Sequence, residues 1–479
     1  MNGKPADTTF LYTAPPFPEK YSLVEGILTF RGSHYRDAPA FGRCKPAPKK
    51  LRKLWTFYTT WGTPHSKEKK SWGGGAGWTG QAAIIRWPDS IKALMNLKPK
   101  FKSKPNFTEV IQASLDGHVY FLDLETGEET RPSLNIRNPI KGTLSVDPRG
   151  YPLLYVGQGI PEEGAIGYRI FSLIDGKLLY FINGVDPLAY RLWGAFDGSG
   201  IVNRLADVLF IGGENGLFYA VKLNTAFSAS SKKISISPQV VKYRYKHKKP
   251  KRQGIENSVA FYKNIAFFAD NGGLIQAVDT RTMKPIWTFE SEDDVDATLV
   301  VEVERDTPFV YTGCEVDKQG SKGYAHLRKL NGFTGKVVWE RTYPCFSISE
   351  PEVINGGLLA TPALGKESIS DRVIFSLAHA YKEKSGLIVA LNKATGEELW
   401  SHKLKSYTWS SPTAVYDSLG NAYLIQADDG GNVWLIDAQT GKTLSSLNLG
   451  YTIEASPVVF EDKVIIGVRG NMIVCLQIE

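Results

Sequence analysis

Three groups of residues in this sequence have the types and spacing that chemistry needs. The first is a series of indoles, carboxylates and amides: Trp78, Gln81, Asp197, Glu256, Asn257, Asp294, Asp296, Trp409 and Glu454. They sit at similar offsets inside short segments of small and polar residues: WGGGAGWTGQAAI (72 to 84), WGAFDGSGIV (193 to 202), GIENSVA (254 to 260), DDVDATLVV (293 to 301), NGGLLATP (355 to 362), YTWSSPTAV (407 to 415) and YTIEASPVV (451 to 459). Aromatic plates beside oxygen acceptors suit sugar, peptide or cation recognition, because rings stack on apolar faces while the acceptors fix orientation. The same small-residue alternation also fits plain packing of backbones at a crowded axis, with Gly where no side chain fits.

The second group is FRGSHYRDAP (30 to 39), with Arg31, His34, Arg36 and Asp37. It is expected to plug or rim one end of a channel, with Arg36 pairing the carboxylates above. His34 and Asp37 make a poor catalytic dyad, since nothing supplies a positioned nucleophile. The third is KYRYKHKKPKR (242 to 252), alternately basic and aromatic and then wholly basic. Such a run can bind nucleic acid. Its expected place is the outer strand of a sheet, where lysines guard an exposed edge, and edge protection is the preferred reading.

Metal chemistry has little to work with. None of the seven histidines forms a metal-spaced pair, and Cys44, Cys314, Cys345 and Cys475 show no CxxC spacing, which argues against zinc. Isolated thiols are expected, with Cys314 to Cys345 and Cys44 to Cys475 bridges as the alternatives. No metal site is assigned, although the carboxylates above are of a type that binds calcium.

These residues must be positioned by strands. One phrase recurs eight times: YFLDLETGEE (120 to 129), IFSLIDGKLL (170 to 179), FYAVKLNT (218 to 225), IQAVDTRTMKPIW (275 to 287), LRKLNGFTGKVVW (327 to 339), IVALNKATGEELW (388 to 400), VWLIDAQTGKTL (433 to 444) and the truncated IVCLQIE (473 to 479). Each is a strand ending in a Thr-Gly-type turn and a second strand, a hairpin signature. Further strands precede most of them, so each unit has four. The last unit lacks its outer strand, while LRKLWTFYTT (51 to 60) is an outer strand without a unit, with Trp55 at the expected place. The expected fold is all-β, an eight-bladed propeller of four-stranded antiparallel blades closed by an N-terminal strand in the last blade. Residues 1 to 50 would form an arm packed on the propeller of residues 51 to 479.

Composition agrees: 46 Gly, 26 Pro, 23 Phe, 22 Tyr and 11 Trp favour short strands and tight turns over long helices. RWPDSIKALMNLKPKFKSK (86 to 104) is the exception and predicts one short amphipathic helix. GIPEEGAIG (159 to 167), CEVDKQGSKG (314 to 323) and YKEKSG (381 to 386) read as polar loops that could decorate one face. No apolar run is long enough for a membrane span, and the opening residues lack a secretory apolar stretch, so a soluble monomer is expected. The net charge of +8 names no partner.

The Asn392-to-Trp400 and Asn331-to-Trp339 stretches resemble the tryptophan-docking motif of pyrroloquinoline quinone-like (PQQ-like) repeat propellers, with Trp287, Trp339 and Trp400 at the docking position and Arg131, Tyr180 and Ser445 departing from it. The resemblance implies that each indole packs on the turn of an adjacent blade. Quinoprotein dehydrogenases on this fold use a vicinal disulfide, a calcium or lanthanide ion and an Asp base. With no adjacent cysteines here, PQQ is not expected and no cofactor is assigned. The resemblance favours a non-catalytic binding or scaffolding protein of the bacterial cell envelope, with a protein partner or a carbohydrate or peptide ligand at the channel mouth. It also implies an extracytoplasmic or cell-surface location, with the signal or anchor absent from this chain. An enzyme on the same fold, quinone-dependent or carbohydrate-active, and a polyanion-binding surface protein are the competing readings; nucleic acid is not expected.

Overall fold

The computed structural model describes residues 8–60, 74–248, 252–349 and 353–479. Eight sheets, mostly of four antiparallel strands, stand radially around one axis. The fourth blade shows the pattern: Ala260–Tyr262, Ile265–Ala269, Leu274–Asp279 and Lys284–Glu290 run in order from axis to rim. The two middle strands are buried almost throughout, as sheets packed on both faces require, and the outer strand alternates exposed with half-buried residues. Closure follows the sequence expectation, with Leu51–Tyr58 pairing antiparallel to Met472–Ile478 as the outer strand of the eighth blade.

Four indoles tie neighbouring blades. Trp55, Trp287, Trp339 and Trp400 donate from Nε1 to the carbonyls of Leu124, Gly332, Lys393 and Ala438 at 3.0, 2.8, 2.9 and 3.1 Å. Each ring covers the turn glycine that follows: a Cβ on Gly127, Gly335, Gly396 or Gly441 would stand 2.6 to 2.8 Å from the ring, and each has φ near +70°. Arg131, where the repeat lacks Trp, makes the same contact by other means: its Nη1 donates to Leu173 O at 3.0 Å. Ser445 faces the eighth blade, whose outer strand comes from the N-terminus. That blade therefore has no Thr-Gly turn for an indole to cover.

Residues 8–50 lie along one end of the ring. Gly26–Ile27 and Ala40–Phe41 add short strands to the first and eighth blades, and Leu11, Phe17 and Tyr21 pack into the third and fourth. Two expectations are corrected. Residues 86 to 104 form two single turns, Asp89–Lys92 and Pro99–Lys102, because prolines at 88 and 99 interrupt any longer helix. The outer strand of the third blade is Gln239–Arg244, so the basic run leaves the edge after three residues. Tyr243 and Tyr245 turn inward, stacked at 5.7 Å, and offer no ring to a base; residues 249–251 lie outside the described residues. All four cysteines are buried free thiols, so neither candidate bridge forms.

Candidate functional site

One position repeats around the axis. The backbone N–H of Ser199 donates to the Ser258 hydroxyl, Ser258 to Thr298, Thr298 to Thr361, Thr361 to Ser411 and Ser411 to Ser456, at 2.8 to 3.2 Å. Gln81 N donates likewise to Thr143 Oγ1. These hydroxyls satisfy inner-strand donors that have no fifth strand to pair with. The residue two positions earlier in each blade is Thr79, Lys141, Asp197, Glu256, Asp296, Leu359, Trp409 and Glu454. Five of the nine singled-out residues belong to this ring.

The arm residues lie at the other end of the same segments. Arg36 donates to Val259 O, Ser199 O, Phe30 O and Thr29 Oγ1. Arg31 donates to Pro412 O and Pro362 O. These acceptors lie at or just beyond the hydroxyl position, whereas the carboxylates precede it. Arg36 therefore plugs the channel without pairing the acidic ring: carbonyls and hydroxyls take up its guanidinium. His34 stacks on Phe17 at 5.2 Å, and burial lowers its pKa to about 4. Asp37 accepts instead from Ser33 Oγ and Lys366 Nζ.

Between plug and ring is an axial cavity of about 50 Å³, lined by Phe30 below, by hydroxyls on its wall and by Asp197, Glu256 and Asp296 above. Two carboxylates that sequence reading missed approach from between the second and third strands of their blades: Glu214, in a loop and 2% exposed, and Glu315, in the short strand Glu315–Val316 and 1% exposed. Asp197, Glu214 and Glu256 can each bring one oxygen within 4.8 Å of the others, a set able to hold a cation. Lys141, also missed, pairs with Asp197 and lies over the Trp78 ring. Lys318, from the 314 to 323 loop, pairs with Asp294 at 2.8 Å. Arg191 stands 3.8 Å from Glu214. Trp78 and Trp409 meet at 5.6 Å on the opposite side, with Arg469 between Trp78 and Glu454. Beside them a depression of about 400 Å³ runs between Tyr407, Asp429 and Lys384.

Gln81 and Asn257 do not reach the mouth. Gln81 Oε1 accepts from Arg31 N, and Asn257 bonds Ala269 and Val295 of its own and the next blade. Of the polar loops, 314 to 323 converges on the mouth through Lys318 and Glu315. Backbone N–H groups of Asp317, Lys318 and Gln319 are held by the Asp293 carboxylate.

Crowded burial sets the protonation states. Burial first, then Glu256 and Asp197, raises Glu214 well above the carboxylate range. Burial, then Glu256 and Glu315, does the same to Asp296, and burial with Asp294 to Glu315. Asp294 rises to about 7 through burial, with Lys318 opposing. Glu256 alone is lowered: burial works against it, but Lys141 and its hydrogen bonds prevail. PQQ, a tricarboxylate with a fused ring system, does not fit these residues. The cavity is too small for its rings, and its wall repels its charges.

Comparison with known proteins is consistent with this architecture. Residues 384–478 match the family model described as outer membrane protein assembly factor BamB. The BamB of Kangiella koreensis is 28% identical over 112 residues, 23% of this chain and 28% of that protein. The β-alanine-activating enzymes of Danio rerio and Homo sapiens are 27% and 32% identical over 95 and 85 residues. Those matches span only 8% of each enzyme. Among solved structures, BamB from Moraxella catarrhalis superposes with a TM-score of 0.50 at 17% identity, covering 82% of this chain and 96% of that one. The quinohemoprotein alcohol dehydrogenase of Comamonas testosteroni gives 0.60 at 13% identity, covering 98% and 82%. Likeness at such identities shows the fold alone.

Proposed function

We propose that this chain, a PQQ-like-repeat propeller, is a non-catalytic binding or scaffolding module of the bacterial cell envelope that receives a protein partner at the open end of its channel. The observation that carries the reading is the asymmetry of the axis. The arm seals one end with Phe30, Arg31 and Arg36, while six blades send charged or aromatic side chains to the other. Only inner segments bring residues from distant repeats within reach of one ligand. The sequence relation to BamB, an outer membrane protein assembly factor, supports an envelope location and a protein partner. Among the described residues the mouth offers the enzyme reading no nucleophile with a base, and it does not suit PQQ.

The test is a thermal-shift screen of peptides, glycans and metal salts on the wild type, on Trp409→Ala and on a variant with Lys248 and Lys249 neutralised, with dye reduction by added PQQ, calcium and alcohols as the catalytic arm. A shift lost only in Trp409→Ala supports the mouth. A shift lost only in the lysine variant moves the site to the basic run, and PQQ-dependent turnover sinks the non-catalytic reading.

A further inference from the structure

The open end of the channel holds more buried oxygen acceptors than donors. Asp197 Oδ1, Glu214 Oε1 and Asp296 Oδ1 have no hydrogen-bond partner, and neither do Glu315 Oε1, Asn271 Oδ1 and Asn355 Oδ1. Glu214 and Glu315 come from outside the axial ring, and both are almost wholly enclosed, so bulk water does not reach them. An unmet buried acceptor is costly; carboxyl protons shared between Glu214 and Glu256 and between Asp296 and Glu315 relieve part of that cost, and a donor arriving from outside would relieve the rest.

We propose that this slot is a guanidinium site: Asp197, Glu214 and Asp296 receive the arginine side chain of a partner polypeptide. The inference rests on the reading of the mouth as the binding end. Asp197, Glu214 and Glu256 come within 4.8 Å of one another, and Asp296 with Glu315 extends the acceptors beyond that set. A planar fork with five N–H donors spans separated acceptors, whereas a metal ion needs them on one sphere. The slot of about 50 Å³ is lined by Asp197, Glu256 and Asp296, with Glu214 within reach of the first two; it takes a flat head group, and its hydroxyl walls offer further acceptors.

Charge makes the binding proton-linked. Without a ligand the slot faces six carboxylates, Asp197, Glu214, Glu256, Asp294, Asp296 and Glu315, and three cations, Lys141, Lys318 and Arg191. Some carboxylates then keep a proton, and an arriving guanidinium displaces protons to bulk solvent. Affinity therefore rises with pH, from about pH 5 to about pH 8.

The probe is acetyl-Gly-Arg-Gly amide, titrated by calorimetry in two buffers of different ionisation enthalpy, against the citrulline and lysine analogues and calcium chloride. Saturable binding of the arginine peptide with proton release is expected, together with a loss of roughly tenfold to a hundredfold in Glu214→Gln and in Asp296→Asn. Both substitutions preserve shape, and the pH dependence of the wild type needs no variant at all. No arginine binding, citrulline or lysine binding as tightly, or calcium titrating the site in preference to the peptide overturns the proposal. If the arginine peptide fails while another ligand is lost in Trp409→Ala, the guanidinium assignment falls and the mouth stands. If no ligand depends on the mouth, both fall.

Discussion

Restoring the repeat consensus at residue 131 is expected to damage the protein. Arg131 stands four residues past Gly127, where four other blades carry Trp, and its side chain is nearly buried. It bonds Glu109 twice, at 3.1 and 2.6 Å, as well as the Leu173 carbonyl of the second blade. Glu109 is fully buried and accepts also from Trp87 Nε1 and Thr130 Oγ1, both neutral. In Arg131→Trp an indole could reach the Leu173 carbonyl, but Glu109 would be left as a buried charge without a counter-ion. Breaking one side of such a pair costs about 3 to 5 kcal/mol. Arg131→Trp combined with Glu109→Gln removes the stranded charge and keeps an amide oxygen for Trp87, so most of the loss is recovered. Urea midpoints followed by intrinsic fluorescence, for both singles and the double, close the cycle. An Arg131→Trp protein within about 1 kcal/mol of wild type, or a double no better than the single, would refute the view that the ion pair replaces the indole latch.

Two further outcomes are expected. Deleting residues 1 to 60 removes the strand Leu51–Tyr58 and exposes the Met472–Ile478 edge, so the unfolding midpoint should drop far more than on shortening the 381 to 386 loop; an unchanged midpoint would contradict ring closure. Glu315→Gln should stabilise the protein at pH 8 and do little at pH 5. The native carboxyl keeps its proton to higher pH than the unfolded one, so wild-type stability falls as pH climbs from the ordinary carboxylate value through the raised one. Equal effects at both pH values would show that the raised carboxyl is not the cause.

The sequence made the ring legible because each blade repeats a local hairpin, and hairpin turns write themselves in Thr-Gly pairs. The stray strand at 51 to 60 exposed the closure for the same reason. The mouth was half legible. Seven inner segments were read, but 141 to 146, KGTLSV, was not among them, and Lys141 was lost with it. Register on the axial hydroxyl would have found it. Glu214 lies in GGENG, which the sequence reading did not single out, and Glu315 in the polar segment 314 to 323; only the fold shows that both lean over the axis. Gln81 and Asn257 have the right residue types, but they bond backbone inside the ring. Arg36 was placed at the wrong end of the pore, since no local pattern says from which side an arm enters.

The axial ring separates what the fold needs from what it leaves open. Hydrogen bonds from inner-strand N–H groups to Ser or Thr hydroxyls recur from blade to blade, and a substitution there would strand a buried donor on one blade and loosen the next. Two residues earlier no such constraint operates, because that side chain points past the sheet into the channel, and Thr, Lys, Asp, Glu, Leu and Trp all occupy the position. A position free of structural duty that nonetheless gathers three adjacent carboxylates, on the third, fourth and fifth blades, is under strain from its own charge: burial and mutual repulsion drive several of these groups to hold protons. Packing alone would be better served by Gly, Ser or Leu at those places. The acidic arc is therefore a cost that the propeller's stability does not require, and the guanidinium proposed for the slot would offset it.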